Sequence, residues 1–161
     1  MEYLEQALVL TDQGKLQQAV QVLQANLQSA TLKAGDEEGA QAWHLLSLLL
    51  QDLGQDAASL KALEAAYECY CGADDIGQEL NLRYQAAGLW DKSEAVLASL
   101  YEKNKNQQSL AAQLSHALYM QGKREDALVV CNQALQIGGQ WDVQLLSNRS
   151  MLHAQLGDVG K

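Results

Sequence analysis

The stretch AWHLLSLLLQDLGQDAASLKALEAAY, residues 42–67, decides the fold, because two apolar helical patterns meet in it at a single glycine, Gly54. Before that glycine, Trp43, Leu46 and Leu50 recur at the spacing of one helix face. A glycine lacks Cβ, so the chain can reverse there at little steric cost. The stretch therefore predicts two antiparallel helices, the second facing the first through a stripe formed by Leu60, Leu63 and Tyr67.

Glycines in the same setting recur along the 161 residues of the chain. They are Gly14, Gly54, Gly88, Gly122 and Gly157, separated by 40, 34, 34 and 35 residues. A period near 34 residues is typical of a helical repeat protein, in which each unit is a pair of helices.

Side-chain size repeats around these glycines as well. Seven residues before each glycine the side chain is small or short: Ala7, Ser47, Asn81, Ser115 and Ser150. Five residues after the first four glycines it is small again: Ala19, Ser59, Ser93 and Ala127. Small side chains beside large ones let two helices cross closely, with the ridges of one in the grooves of the other. We therefore predict that these positions lie where the helices cross.

The repeated stretches resemble the tetratricopeptide repeat (TPR) family. WHLLSLLLQDLG, GLWDKSEAVLASLY and GKREDALVVCNQAL match its motif, and GKLQQAVQVLQANL matches its second helix. The chain departs from the family in containing no proline, which the family often places at the end of a unit. The resemblance covers almost the whole chain. It implies an all-α fold, a right-handed α-α superhelix (TPR solenoid) of four helix-turn-helix repeats plus one further helix.

The period divides this single TPR domain, residues 1–161, into units of about 1–33, 40–73, 74–107 and 108–141, followed by a half unit at 142–161. Residues 34–39, AGDEEG, form an insertion that we expect to be a lengthened surface turn. The half unit holds one helix, from about Trp141 to Leu156. Either this helix caps the array or the chain is cut from a longer protein. An uncovered apolar seam favours the second alternative: Leu145, Leu146, Leu152 and Leu156.

Composition limits the function. The formal net charge of −9 is unfavourable for binding nucleic acid or anionic membranes. The first residues, MEYLEQALVL, lack a basic leader, so we expect a soluble, cytoplasmic protein. Cys69, Cys71 and Cys131 are an odd set, typical of reduced thiols, and Cys131 falls on an apolar stripe that predicts a core position.

The sequence contains no recognisable catalytic constellation. Its three histidines, His44, His116 and His153, fall in different units, and no His, Cys, Asp or Glu cluster has metal-ligand spacing. The paired Asp74 and Asp75 are typical of a helix start. We therefore predict no metal, no cofactor and no enzymatic activity.

The resemblance implies that the first helix of each unit lines a concave groove that binds a protein or peptide. The groove-facing places of the family correspond here to Leu4, Leu8, Thr11, His44, Leu48, Gln51, Asp75, Gln78, Leu82, Gln85, Ala112, His116, Tyr119, Ser147 and Met151. Where family members that clamp an acidic chaperone tail have Lys, Asn and Arg, this chain has Leu4, Leu8, Leu45, Asp75 and Glu79. A chaperone tail is therefore not expected. The lining is mainly apolar and is bordered by Asp12, Asp52 and Asp75, so we expect a partner with an apolar stripe and basic residues.

Alternatives stay open at this point. Leu4 and Leu8 could pack beneath the neighbouring unit instead of facing a ligand. The chain could be a non-catalytic interaction scaffold, or the N-terminal regulatory or substrate-recruiting domain of a longer enzyme such as a transferase. It could also be an adaptor that self-associates through its C-terminal helix.

Overall fold

A computed structural model describes residues 1–29, 35–139 and 142–157. In these ranges every regular element is an α-helix and there is no strand. The chain divides into two compact units, Met1–Leu80 and Asn81–Lys161. The predicted ends of repeats at 33, 141 and 161 lie outside the described residues, as does the predicted helix start at Trp141. The division of the chain into repeats therefore stays a prediction.

Nine helices are described. They are α1 (Glu2–Asp12), α2 (Leu16–Leu27), α3 (Glu37–Asp52), α4 (Asp56–Cys69), α5 (Asp74–Ala86), α6 (Trp90–Lys103), α7 (Gln108–Met120), α8 (Arg124–Gly138) and α9 (Val143–Gln155). The boundary between the two units falls inside α5. Residues that lose little rotamer freedom in a helix, mainly Leu, Ala, Gln and Glu, fill these segments.

The turn glycines adopt the left-handed conformation that the repeat predicts. Their φ angles are 72° at Gly14, 74° at Gly54, 71° at Gly88, 80° at Gly122 and 78° at Gly157. At Gly54 the turn closes with two bonds: the Gly54 N–H donates to the Gln51 carbonyl at 2.9 Å, and the Gln55 N–H donates to the Leu50 carbonyl at 2.8 Å. This pair of bonds is the Schellman motif, which satisfies carbonyls at the end of a helix.

Small residues lie where the helices cross, as the sequence predicts. Ala7, Ser47, Asn81 and Ser115 are buried. The four small residues that come five positions after the turn glycines are also buried: Ala19, Ser59, Ser93 and Ala127. In α3 and α4 the crossing is close enough for the Ser59 hydroxyl to donate to the Ser47 carbonyl at 2.7 Å. The predicted stripe on α4 is correct at Leu63, which is fully buried, whereas Leu60 and Tyr67 are only half-buried. The buried face of α4 is formed by Ser59, Ala62, Leu63, Ala66 and Cys69.

The predicted surface turn at 34–39 is wrong in its second half. Helix α3 begins at Glu37, because the Asp36 carboxylate accepts a hydrogen bond from the Gly39 N–H at 2.9 Å and caps the helix. Glu37 and Glu38 then lie in the first turn, where the helix dipole favours negative charge. Ala34 lies outside the described residues.

The expected apolar seam on α9 is also wrong. Leu145 and Leu152 are fully buried, Leu146 and Leu156 are half-buried, and α9 packs on α7 and α8. Ser150, expected at a helix crossing, is exposed instead. That position faces the second helix of its own pair, and no described helix follows α9 to cover it.

Candidate functional site: a carboxamide-lined cavity

In the first unit, the predicted ligand-facing side chains differ widely in exposure. Leu8 on α1 and Leu48 on α3 are exposed by 47% and 39%, while Leu4 is half-buried and packs against the core. Thr11 donates its hydroxyl hydrogen to the Ala7 carbonyl at 2.8 Å, which satisfies it within its own helix. On α1, therefore, Leu8 is the exposed apolar side chain of the set.

His44 connects two of the first helices in this unit. Its Nε2 lies 2.7 Å from Oε2 of Glu79, and both side chains are partly buried. The bond joins α3 to α5 and occupies the carboxylate that was expected to line the groove. Of the remaining predicted residues, Gln51 and Asp75 are exposed and Gln78 is half-buried.

In the second unit a cavity of about 460 Å³ lies between α5, α7 and the start of α9. Its lining consists of Gln85, Ser109, Ala112, Gln113, His116, Asp142 and Gln144. Three of these residues, Gln85, Ala112 and His116, were predicted from the sequence as groove residues. The volume lies in the range of ordinary ligand pockets.

A buried asparagine orients one side of this cavity. The side-chain amide of Asn148 donates to the Ala112 carbonyl at 3.3 Å and to the Ser115 hydroxyl at 2.9 Å. Since a carbonyl only accepts hydrogen bonds, the bond to Ala112 fixes which end of the Asn148 amide is nitrogen. Its oxygen then accepts from Nε2 of Gln144 at 2.9 Å, which leaves the oxygen of Gln144 without a hydrogen bond to the described residues.

Asn81 supports the opposite side of the cavity. Its Nδ2 donates to Oε1 of Gln113 at 2.9 Å, and its Oδ1 accepts from the Ser93 hydroxyl at 2.6 Å and from Nε2 of Gln85 at 3.2 Å. Asn81 and Ser93 are fully buried. Two buried asparagines therefore hold three glutamines that line the cavity.

Two aromatic rings, those of Trp90 and Tyr119, lie beside His116 at the cavity. The Trp90 ring meets it edge-on with centroids 5.4 Å apart, and the Tyr119 ring lies 6.4 Å away. Tyr119 is engaged elsewhere, since its hydroxyl accepts from Gln155 at 2.9 Å and the Arg124 guanidinium lies 5.9 Å from its ring centre. Tyr119 therefore acts mainly as a packing residue beside the cavity.

Solved structures with the same fold are numerous. MamA AMB-1 matches with a TM-score of 0.64 and 17% identity over 97% of this chain and 81% of that chain. YrrB, described as a TPR protein with an unusual peptide-binding site, matches with a TM-score of 0.66 and 15% identity over 99% and 79%. A tetratricopeptide repeat protein from Parabacteroides merdae matches with a TM-score of 0.63 and 16% identity over 98% and 60%.

The chain has the tetratricopeptide repeat fold. No protein-family model matches the sequence, and no curated protein matches it. At identities below one fifth, the structural matches establish the TPR architecture and leave the ligand to be inferred from the site itself.

Within this TPR fold, several predicted residues lie outside the cavity lining. Leu82 is exposed by 61% and Met151 by 37%, and Ser147 is exposed on α9. Four lining residues were missed in the sequence: Ser109, Gln113, Asp142 and Gln144. Gln113 lies one position after Ala112, and the sequence offers no signal that its side chain reaches back towards Asn81.

The remaining groups with possible chemistry are potential metal ligands and the three cysteines. No group of His, Cys, Asp and Glu that could hold a metal is found in the part of the chain that the structure describes. Burial raises the pKa of the Cys69 thiol and of the Cys131 thiol, which keeps both protonated, whereas Cys71 is exposed. None of the described helices is both long and apolar enough to cross a bilayer.

Proposed function

We propose that the protein is a non-catalytic interaction scaffold that binds a peptide segment of a partner protein at the cavity formed by α5, α7 and α9. The carboxamide lining carries this proposal. Each primary amide offers both a donor and an acceptor, and a peptide backbone presents the same two groups at every residue. A cavity lined by glutamines therefore suits a peptide main chain independently of its side chains.

The state of the glutamines supports this assignment. Gln113 uses its oxygen towards Asn81, and its two N–H donors make no hydrogen bond to the described residues, so both remain for a ligand carbonyl. Gln144 uses one N–H towards Asn148, so its oxygen remains for a ligand N–H. Because buried asparagines hold both side chains, a ligand would pay less ordering entropy than it would on mobile surface glutamines.

The chemistry of the partner follows from the rest of the surface. In the unit that contains the cavity, Leu82 is an exposed leucine on a first helix and suits an apolar stripe on the ligand. The net charge of −9 favours basic residues beside it. The peptide-binding site attributed to YrrB makes a peptide a reasonable class of ligand for this fold.

The proposal is tested by obstructing the cavity. Peptides are selected on the intact protein from a random display library, and the dissociation constant of the tightest peptide is measured by calorimetry. Ser109 is exposed and lines the cavity, so Ser109→Trp fills the space without disturbing the core. Asn132→Trp, on the exposed face of α8, is the matched control.

We expect Ser109→Trp to weaken peptide binding by about a hundred-fold, comparable to the loss of a hot-spot residue. Asn132→Trp should leave the dissociation constant unchanged. If every selected peptide binds both variants as it binds the parent protein, the cavity is not the binding site.

A further inference from the structure

We propose that the α9 side of this cavity is a subsite for a cationic side chain, the lysine ammonium or arginine guanidinium of the bound peptide. The subsite consists of Asp142 and Gln144 at the start of α9, in a cavity that Ala112 also lines. This inference rests on the proposed function and assigns to one place the basic residues expected of the partner.

The charge of the lining points to a cation. Among the seven described residues that line the cavity, Asp142 is the one with a formal charge, and none is a lysine or an arginine. One carboxylate oxygen of Asp142 caps α9 by accepting from the Leu145 N–H at 2.9 Å. The other oxygen makes no hydrogen bond to the described residues, so it can accept from a ligand.

A helix N-terminus by itself favours an anion, so the two effects must be compared. The dipole places about half a positive charge at the start of α9, and the Asp142 carboxylate places a full negative charge at the same end. The net charge at the N-terminus of α9 is therefore negative. Asp142 is also only partly exposed, which weakens the screening of its charge by water.

Hydrogen-bond polarity gives an independent reason. Asn148 is fixed by the Ala112 carbonyl, so Gln144 must donate one of its two N–H groups to it. The oxygen of Gln144 has two lone pairs, so it can accept from a cation as well as from the peptide main chain. Two acceptors, on Asp142 and Gln144, thus lie in the first turn of one helix. An ammonium has three N–H donors and a guanidinium has five, whereas a carboxylate has none.

The third component suits the stem of such a side chain. The lining includes the apolar side chain of Ala112 and the ring of His116. Lysine and arginine carry apolar methylene stems that pack on such surfaces while the charged end reaches a polar group. The cavity volume of about 460 Å³ is ample for one extended side chain.

The test combines a change in the peptide with a change in the protein. In the tightest display-selected peptide, each Lys or Arg is replaced in turn by norleucine, which keeps the stem and removes the charge. In the protein, Asp142→Asn removes the charge but keeps a good N-cap, so α9 should stay folded. Asp36→Asn is the matched control, because Asp36 caps α3 through an equivalent 2.9 Å bond.

We expect one norleucine substitution to weaken binding to the parent protein by about ten-fold, as for loss of a charged hydrogen bond. The same substitution should have almost no effect on Asp142→Asn, whereas on Asp36→Asn the ten-fold loss should persist. Such coupling between the two changes assigns the cation to Asp142.

Two other outcomes separate the inference from the proposed function. If the selected peptides are blocked by Ser109→Trp but lack a basic residue that couples to Asp142, the subsite is wrong and the peptide-binding function stands. If Ser109→Trp blocks none of them, the proposed function fails and the subsite fails with it.

Discussion

Replacing Asn81 with alanine removes an amide that three neighbouring side chains use at once. The free energy of unfolding should fall for two reasons. The 2.9 Å bond to Gln113 contributes about 1 kcal/mol, and the buried Ser93 hydroxyl, left without its 2.6 Å acceptor, costs about 1–3 kcal/mol. Gln85 is half-buried and can turn to water, so its 3.2 Å bond adds little.

The expected cost of Asn81→Ala is therefore about 2–4 kcal/mol. For a chain of this length, each kcal/mol lowers the melting temperature by roughly 2–4 °C. Urea unfolding followed by far-ultraviolet circular dichroism measures the free energy, provided the slope with denaturant is unchanged.

A double-mutant cycle with Ser93→Ala tests the physical reason. In the double variant neither buried partner is left unsatisfied, so it should be more stable than the sum of the single effects predicts, by about 1–2 kcal/mol. The network has been misread if Asn81→Ala costs less than about 0.5 kcal/mol, or if the two single effects simply add.

Three further predictions concern stability and reactivity. Ala62 lines a cavity of about 250 Å³, so Ala62→Val should raise the free energy of unfolding by about 1 kcal/mol. Ala66→Val, at a fully buried position, should lower it. Equal effects of the two substitutions would contradict this prediction. Gly54→Ala should lower the free energy of unfolding by about 1–2 kcal/mol because φ is 74°, and Gly54→Asn should lower it less. If Gly54→Ala left the free energy of unfolding unchanged, the turn would not be left-handed. With a thiol reagent, Cys71 should react in the native protein, because it is exposed. Cys69 and Cys131 should react only after unfolding, since burial raises the pKa of both thiols. Rapid reaction of all three cysteines would be inconsistent with the buried core.

The architecture could be predicted because local chemistry determines it. A residue that must adopt positive φ at the end of a helix is strongly biased towards glycine, so the turns are visible as a glycine period. Close helix crossings require small side chains, so Ser47 and Ser59 are recognisable in the sequence as packing residues.

Errors occur where tertiary contacts decide the outcome. The composition of residues 34–39 predicts a turn, but the Asp36 cap makes the second half of this segment the first turn of α3. The leucines of α9 were expected to be uncovered, because one helix of a pair seemed to lack its partner. In fact α7 and α8 cover Leu145 and Leu152.

The candidate site was only partly predictable for a similar reason. The groove positions of the resembled family include Gln85, Ala112 and His116, which line the cavity, and their role in binding a partner stays a prediction. Periodicity does not indicate the reach of a long polar side chain. Gln113 and Gln144 enter the cavity because Asn81 and Asn148 hold them, and these bonds join residues 32 and 4 positions apart.

The most direct test of the central proposal is a crystal structure of the protein with its tightest display-selected peptide. We predict that the peptide main chain lies against α7, within hydrogen-bonding distance of the Gln113 and Gln144 side chains and in contact with His116. A peptide bound instead to the outer face of α8, where Val129 and Ile137 are exposed, would contradict the proposal.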